Sequence, residues 1–428
     1  MTITVEGYLA GFRVLDLTDQ RGLLAGHVLA QMGADVIQVE PPSGNAARHQ
    51  PPLQGERSFF WEAYAAGKRS ITCDIDSETG RALFLRLAAT ADVLIESSGV
   101  GVLACQRLGY DDLKAANPRL IYVAITPFGS YGPKARYADS DLVLWAAGGA
   151  LLPCRDGPDA PLRMSVPQAY LHASADAAVA ALIALSARRV TGRGQYVDVS
   201  VQQSVAQATL SSVLAAAVGH EGFDLAQTAA AQGTTKPGKK SLDLSGSGAR
   251  TRRSKWQAAD GLVEFHLGIG SAAGGSTNAL FAWMCEAGEC DERFKDWDWI
   301  TLPARLESDE ISDADLQAAR AVIARFFATR RKDDIEREAG RRKIMLAAIM
   351  TTNDLLANEH FAARGYFDTL EGPQGAYRTP GRFAIASNDG LVRAKPAPAL
   401  GQDNEHVWRN IVGLAADELA RVQRERVI

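Results

Sequence analysis

RVLDLTDQRGLLAGHVLAQMGADVIQVEPPSGNAAR, residues 13–48, decides the fold class. Arg13–Leu17 is a short apolar strand pattern, Gly22–Gly33 reads as a helix, and Asp35–Val39 (DVIQV) is a second strand. A strand, a crossover helix and another strand in so short a stretch make the unit of a parallel sheet. Working outward, the pattern repeats. Ser70–Asp74 (SITCD), Asp92–Glu96 (DVLIE) and Leu120–Ile125 (LIYVAI) read as further strands, with a helix over Thr79–Ala89. These are runs of Val, Leu and Ile rather than clean alternations, as expected of strands covered on both faces. The fold class is therefore α/β with a Rossmann-like parallel sheet.

Beyond the sheet, residues 172–189 predict a long Ala/Leu helix, followed by a TGRGQ turn at Thr191–Gln195 and a strand over Tyr196–Val201. Residues 220–255 turn rich in Gly, Ser, Thr, Lys and Arg, which reads as a linker or mobile loop. A smaller α+β unit follows. It opens with a hairpin pattern over Trp256–Leu267, turning at Asp260–Gly261, and continues with helices near 276–287, 313–329 and 331–343. The tail from 372 returns to strand and loop before a last helix at 414–424. There is no internal repeat.

Composition excludes several classes. The 428 residues are 46% hydrophobic and 22% charged, which is ordinary for globular domains. A net charge of −4 argues against a nucleic-acid binder, whose footprint is usually basic. Five cysteines without a CxxC pair indicate neither a disulfide framework nor a zinc site. The start, MTITVEGYLAGFRVLDLT, lacks the basic and apolar regions of a signal peptide, and the Ala-rich stretches 175–185 and 205–218 read as buried helices rather than membrane spans. The expected location is the cytoplasm, with no membrane partner.

Six segments, taken in order, resemble the class III CoA-transferase family, the group of formyl-CoA transferase, carnitine CoA-transferase and α-methylacyl-CoA racemase. They are residues 9–48; GKRSITCDIDSETGRALFLRLAATADVLIES at 67–97; RLGYDDLKAANPRLIYVAITPFGSYGP at 107–133; ADSDLVLWAAGG at 138–149; RRVTGRGQYVDVSV at 188–201; and RAKPAPALGQDNEHV at 393–407. The resemblance implies a large CoA-binding domain over 1–215, a linker and small domain over 216–370, and a return to the large domain over 371–428. It also implies an interlocked dimer.

The same resemblance places coenzyme A, a thioester substrate rather than a tightly bound cofactor, against three loops: Asp19–Leu23, Glu40–Arg48 and Ser97–Arg107. Candidate contacts are Arg21, Gly22, Arg48, Ser97, Ser98, Gly99, Val102 and Arg107. Charged donors and backbone at a sheet's carboxyl edge suit phosphate and a long pantetheine arm. The family positions near Cys73 and Asp76 that often contact CoA are not basic here. The SGSG run at Ser245–Gly248 falls where the family carries a mobile glycine loop, and Arg250, Arg252, Arg253 and Lys255 lie close by in sequence. Asp141 matches an acid the family often holds near the reacting groups. The surface alternative for each arginine is a solvated charge, and for Asp141 a helix N-terminal acid.

Family chemistry runs through one aspartate, which forms acyl anhydride and aspartyl-CoA intermediates. It lies roughly 21–22 residues before the TGxGQ turn, at the start of a helix whose dipole favours an anion. Here that position falls within Gln168–Tyr170, where no acid stands. Three readings stay open. A paralogous subunit supplies the aspartate and this chain is the non-nucleophilic partner of a heteromer, as in succinyl-CoA:benzylsuccinate CoA-transferase; or Asp176 substitutes in a homomeric transferase; or His172 acts as base in racemase-like chemistry. The sequence favours the first. Trp61, Tyr64, Trp145 and Tyr170 are candidates for an aromatic acyl pocket, although such residues are usually core. A dinucleotide enzyme is the competing class, but DLTDQRGLLAG lacks the GxGxxG turn.

Overall fold

The computed structural model describes residues 7–151, 162–219, 254–372, 375–388, 390–393 and 395–428. The chain divides into two compact units: Met1–Cys154 with Arg163–Gly222 and Glu359–Ile428, and Arg155–Leu162 with Phe223–Asn358.

The first unit is built on six parallel strands: β1 (Arg13–Leu17), β2 (Asp35–Glu40), β3 (Arg69–Thr72), β4 (Val93–Glu96), β5 (Ile121–Thr126) and β6 (Tyr196–Ser200). Their spatial order is β3-β2-β1-β4-β5-β6, with the order reversing at β1 and β4. This is the doubly wound arrangement in which ligands sit beyond the carboxyl edge at the reversal. One face is covered by α1 (Leu23–Gln31) and the long α7 (Ala169–Thr191). The other is covered by α3 (Glu78–Ala88), α5 (Tyr110–Ala116) and the C-terminal helix Ala416–Arg424.

Helix α7 lies on the sheet through small residues. Ala169, Ala173, Ala177, Ala181 and Ala184 are buried at helical spacing, and Gly192 ends the helix at φ 69, a conformation that suits glycine. Its 23 residues are long and apolar enough to cross a bilayer by length and composition, but this alanine face is spent on the core. Arg188 in its last turn pairs with Asp92 at 2.8 Å, which fixes the amino-edge end.

Under α1 sits a buried ion pair. Lys68 Nζ meets Asp16 Oδ2 at 2.7 Å, the Leu23 carbonyl at 2.9 Å and Gln38 Oε1 at 3.1 Å, with both charged side chains fully enclosed. Asp16 Oδ1 accepts from Thr18 N (2.9 Å) and Thr18 Oγ1 (2.6 Å). Burial pulls the Lys68 pKa below its ordinary value and Asp16 pulls it back up. Gly26 lets α1 descend onto this pair, because a Cβ there would stand 2.1 Å from Asp16 Oδ2.

The second unit has a three-stranded antiparallel sheet of Lys255–Ala258, Gly261–Phe265 and Leu346–Ala348, with Gly261–Phe265 central. Helices Gly274–Glu286, Asp313–Ala328 and Lys332–Arg341 pack on an aromatic core that includes Trp256, Phe265, Phe281, Trp299 and Phe327. The sequence hairpin over 256–267 is therefore present, with its turn at Ala259–Asp260, one residue earlier than expected, because Gly261 already pairs with Ala258 as the first residue of the second strand.

Two expectations follow. Lys68→Ala leaves Asp16 charged, buried and unpaired, and should lower unfolding free energy by about 3–5 kcal/mol. The Lys68→Met, Asp16→Asn double variant should lose less than the sum of the singles in urea denaturation; additivity would refute the coupling. His27 offers a pH test. Its Nδ1 meets the Ala66 carbonyl at 3.0 Å and its Nε2 meets Gln31 Nε2 at 3.0 Å, and burial lowers its pKa below 6.5. The unfolded chain then takes up a proton that the folded chain resists. Stability should be full above the ordinary histidine pKa and fall as pH drops below it, with a flatter melting-temperature profile in His27→Gln.

Candidate active site

The carboxyl edge gathers residues from four elements. After β1, Asp16 curls Thr18 back, and the turn presents Asp19 and Arg21. Arg21 lays Nε and Nη2 on Asp19, with Nη2–Oδ2 at 2.8 Å. Ser97, just past β4, donates to Asp19 Oδ1 and accepts from the Asp19 amide, both at 3.2 Å. The Asp19 hydrogen bond raises the Arg21 pKa, and Tyr170 and Asp139 lie near enough to add to the effect. The β1 turn, the β4 end and the start of α7 thus share one locality.

At the start of α7, the Gln168 cap makes no side-chain capping bond, and the first turn carries no acid. Its amides are met from elsewhere. Asp141, the first residue of α6 (Asp141–Ala147), accepts from Gln168 N and Ala169 N through Oδ1, both at 2.8 Å. A carboxylate therefore does stand at this helix N-terminus, as the dipole favours, but it comes from another helix. Tyr170 donates to Asp139 Oδ2 at 2.6 Å, and burial and that acid raise its phenol pKa well above the ordinary value. Asp139 was not singled out from the sequence; its place two residues before Asp141 in ADSD was the only signal.

The other candidates fall in different places. Asp176 stands seven residues into α7, about 10 Å along the axis from Ala169, and its Oδ2 accepts from Gln207 Nε2 at 2.9 Å. His172 is exposed, with its ring edge-on to Trp145 at 5.9 Å. Arg48 is engaged inside the fold. It forms a two-point pair with Glu40 (2.7 and 2.8 Å), donates to the Pro398 carbonyl at 3.2 Å and lies 3.9 Å over the Trp61 ring. A phosphate would have to compete with those contacts. Trp61 itself is buried in a small cluster with Leu23, Ala47 and Ala65, with Tyr64 packed against it, so these two rings serve the core.

Arg107 is exposed, sits at a left-handed φ of 59, and makes no ion pair among the described residues. The loop before it bends at Gly99 (φ 105) and Gly101 (φ 80). Ser98 N donates to Glu96 Oε2 at 2.6 Å, and burial raises the Glu96 pKa against that bond. Gly22 packs its Cα against Thr18, and Val102 is exposed at the start of a one-turn helix. Ser245–Gly248, Arg250, Arg252 and Arg253 lie outside the described residues; Lys255 begins a strand and is exposed.

Buried polar atoms in folded proteins are normally paired, so exceptions mark sites. Among the described residues, Gln20 Oε1, Gln106 Oε1, Thr126 Oγ1, Asp141 Oδ2, Trp145 Nε1, Trp299 Nε1 and Trp408 Nε1 are buried without a partner. The first five lie at the end of β5 or in the loops and helices that follow β1, β4 and β5, and the other two are indoles inside hydrophobic cores. A cavity of about 520 Å³ lies instead at the amino edge, lined by Gly33, Asp35, Gly67, Arg69 and Asp403 among others. It shares none of the residues above, and the chemistry-bearing groups favour the carboxyl edge.

The chain matches the model of CoA-transferase family III over residues 9–404. It is 27% identical to formyl-CoA:oxalate CoA-transferase of Streptomyces coelicolor over 98% of this chain and 99% of that protein. It is 28% identical to succinyl-CoA–D-citramalate CoA-transferase of Chloroflexus aurantiacus over 97% of each. Identity rises to 40% with the BbsE subunit of succinyl-CoA:(R)-benzylsuccinate CoA-transferase of Thauera aromatica, over 46% of this chain and 49% of that subunit. A crystal structure of a CaiB/BaiF family protein from Brucella suis superposes with a TM-score of 0.73 at 27% identity, covering 94% of this chain and 99% of that one. With the family's segments matched in order and its fold reproduced, this chain belongs to CoA-transferase family III.

Proposed function

We propose that this chain binds a CoA thioester at the carboxyl edge and moves CoA from a donor such as succinyl-CoA to a carboxylic acid, as the non-nucleophilic partner of a heteromer. One observation carries the reading: the first turn of α7 has no acid of its own, and its amides are already taken by Asp141. Tyr170 is committed to Asp139, and a phenol, an amide or a methyl at 168–170 cannot form the acyl anhydride. Asp176 is a poor substitute, being two turns away and bound to Gln207. His172, exposed and held only by a ring contact, gives the racemase-like reading no partner acid. One relative, the BbsE subunit of succinyl-CoA:(R)-benzylsuccinate CoA-transferase, agrees with a two-component enzyme. In this reading the partner is a paralogue bearing the aspartate, the two interlock, and the assembly works in the cytoplasm.

Phosphate recognition falls to Arg107, which makes no ion pair among the described residues, rather than to Arg48 or Arg21, whose guanidiniums are engaged by Glu40 and Asp19. Calorimetric titration should show CoA binding, weakened about tenfold or more by Arg107→Ala, since a charge-assisted contact is lost. Arg48→Lys should instead reduce stability with a smaller effect on affinity. No heat at millimolar CoA would remove the site.

The role in catalysis has its own test. The chain alone should turn over little succinyl-CoA, and co-expression with an aspartate-bearing paralogue should restore transfer. Hydroxylamine or borohydride trapping should label only the paralogue. A label on this chain would overturn the non-nucleophilic reading, and Asp176→Asn and Asp141→Asn would then show which carboxylate had reacted.

A further inference from the structure

The last residue of α1, the buried Gln31, joins the helix to a strap of the C-terminal segment at three points. Its carbonyl accepts from Val392 N at 2.7 Å, its Oε1 accepts from Phe383 N at 3.2 Å, and its Nε2 donates to the Gly381 carbonyl at 3.1 Å. Between these points the strap lies open to solvent, with Phe383 and Ile385 56% and 62% exposed.

The strap also fixes the state of a histidine. A backbone N–H can only donate and a carbonyl can only accept, so Phe383 N and the Gly381 carbonyl decide which end of the Gln31 amide is oxygen and which is nitrogen. The same Nε2 meets His27 Nε2 at 3.0 Å, and that ring nitrogen must therefore be the acceptor. His27 Nδ1 meets the Ala66 carbonyl at 3.0 Å and must carry the hydrogen. The bonding admits only the neutral imidazole with its proton on Nδ1.

A second proton has no acceptor. On Nε2 it would point at the Gln31 NH2 group, donor against donor. Turning the amide over would relieve that contact, but it would set Oε1 against the Gly381 carbonyl and NH2 against Phe383 N–H. Either way a bond between α1 and the strap is lost. The surroundings do not draw the proton in. Burial lowers the His27 pKa, the Ala66 carbonyl opposes that, and Lys68 lowers it further. Asp16, the nearest acid to Lys68, is spent on that ammonium. A cavity of about 150 Å³ beside the ring is lined by Arg393 and Lys395 from the strap side, and no carboxylate lines it among the described residues. Arg393 is itself paired with Asp368.

We propose that His27 and Gln31 form a proton-sensitive latch, so that protonation of His27 releases the strap bearing Gly381, Phe383 and Val392 from α1 while the six-stranded sheet stays folded. Release opens the amino edge, because Val392, Arg393 and Lys395 form one wall of the cavity beside His27. The proposal is independent of the CoA site at the opposite edge.

The test is hydrogen exchange of the full chain, read by mass spectrometry and corrected for the pH dependence of intrinsic exchange. Released, His27 titrates near its ordinary 6.5, and latched it titrates lower, so protection is full above 6.5 and falls as pH drops below it. Between pH 7.5 and 5.5, peptides covering 381–393 should lose protection about fivefold or more. Peptides covering β4 and β5 should not change. His27→Gln, which cannot titrate, should show the same strap protection at both pH values. Unchanged strap protection in the wild type would overturn the latch, and so would a parallel loss in β4 and β5, which would mean general loosening. These two wild-type outcomes decide the matter even if His27→Gln fails to fold. A pH-dependent loss that persists in folded His27→Gln would overturn it as well.

Discussion

The contact between Lys68 and Asp16 holds β1, β2 and the start of α1 together. An ammonium and a carboxylate removed from water are tolerated only when every donor and acceptor is met. Here the ammonium has three acceptors from β1, β2 and the start of α1, and Asp16 answers with the Thr18 amide and hydroxyl. The network continues through Gln38 Nε2 and Asn45 Nδ2, both bonded to the Thr18 carbonyl at 2.8 Å. It therefore fixes the turn between β1 and α1, and with it the positions of Asp19 and Arg21. Gly26 is part of the same arrangement, since no side chain fits between α1 and the pair.

A second constraint is the alanine face of α7. Small residues at helical spacing bring its backbone close to the sheet, and Arg188 pins its far end to Asp92. With length and far end set, the N-terminus must emerge at the carboxyl edge. There the helix needs an anion, and α6 supplies it through Asp141. The chain thus keeps the electrostatic pattern of a helix N-terminus holding a carboxylate while moving the carboxylate to another element.

The C-terminal segment is tied into the first unit by the same kind of backbone and side-chain bonding. Asp403 accepts from Ser70 N at 3.0 Å, Asn404 accepts from Thr72 N at 2.8 Å, and Gln31 donates to the Gly381 carbonyl at 3.1 Å. The first two contacts guard the β3 edge, which would otherwise present unpaired backbone groups. The second unit's core is built on interlocking aromatic rings, such as Phe281 stacked on Trp299 at 4.9 Å.

The sequence by itself determined the elements of the sheet. Strand runs such as LIYVAI and DVLIE, the Ala-rich helix before TGRGQ and the hairpin around Asp260–Gly261 all depend on local periodicity and turn residues, and the structure has them within a few residues. That Gln168–Tyr170 hold no acid is read directly from the residues, and these residues stand at the start of α7. The site's partnerships were decided only by tertiary structure. Arg48 reads as a free cation until the fold sets it on Glu40 and Trp61. Asp176 is the acid nearest along the chain, yet a helix carries it about 10 Å away in seven residues. Asp141, distant in sequence, reaches the α7 amides because α6 and α7 start at the same edge of the sheet. Sequence separation measures distance along the chain, whereas hydrogen bonding depends on where packed elements begin and end, and that is fixed by the core as a whole.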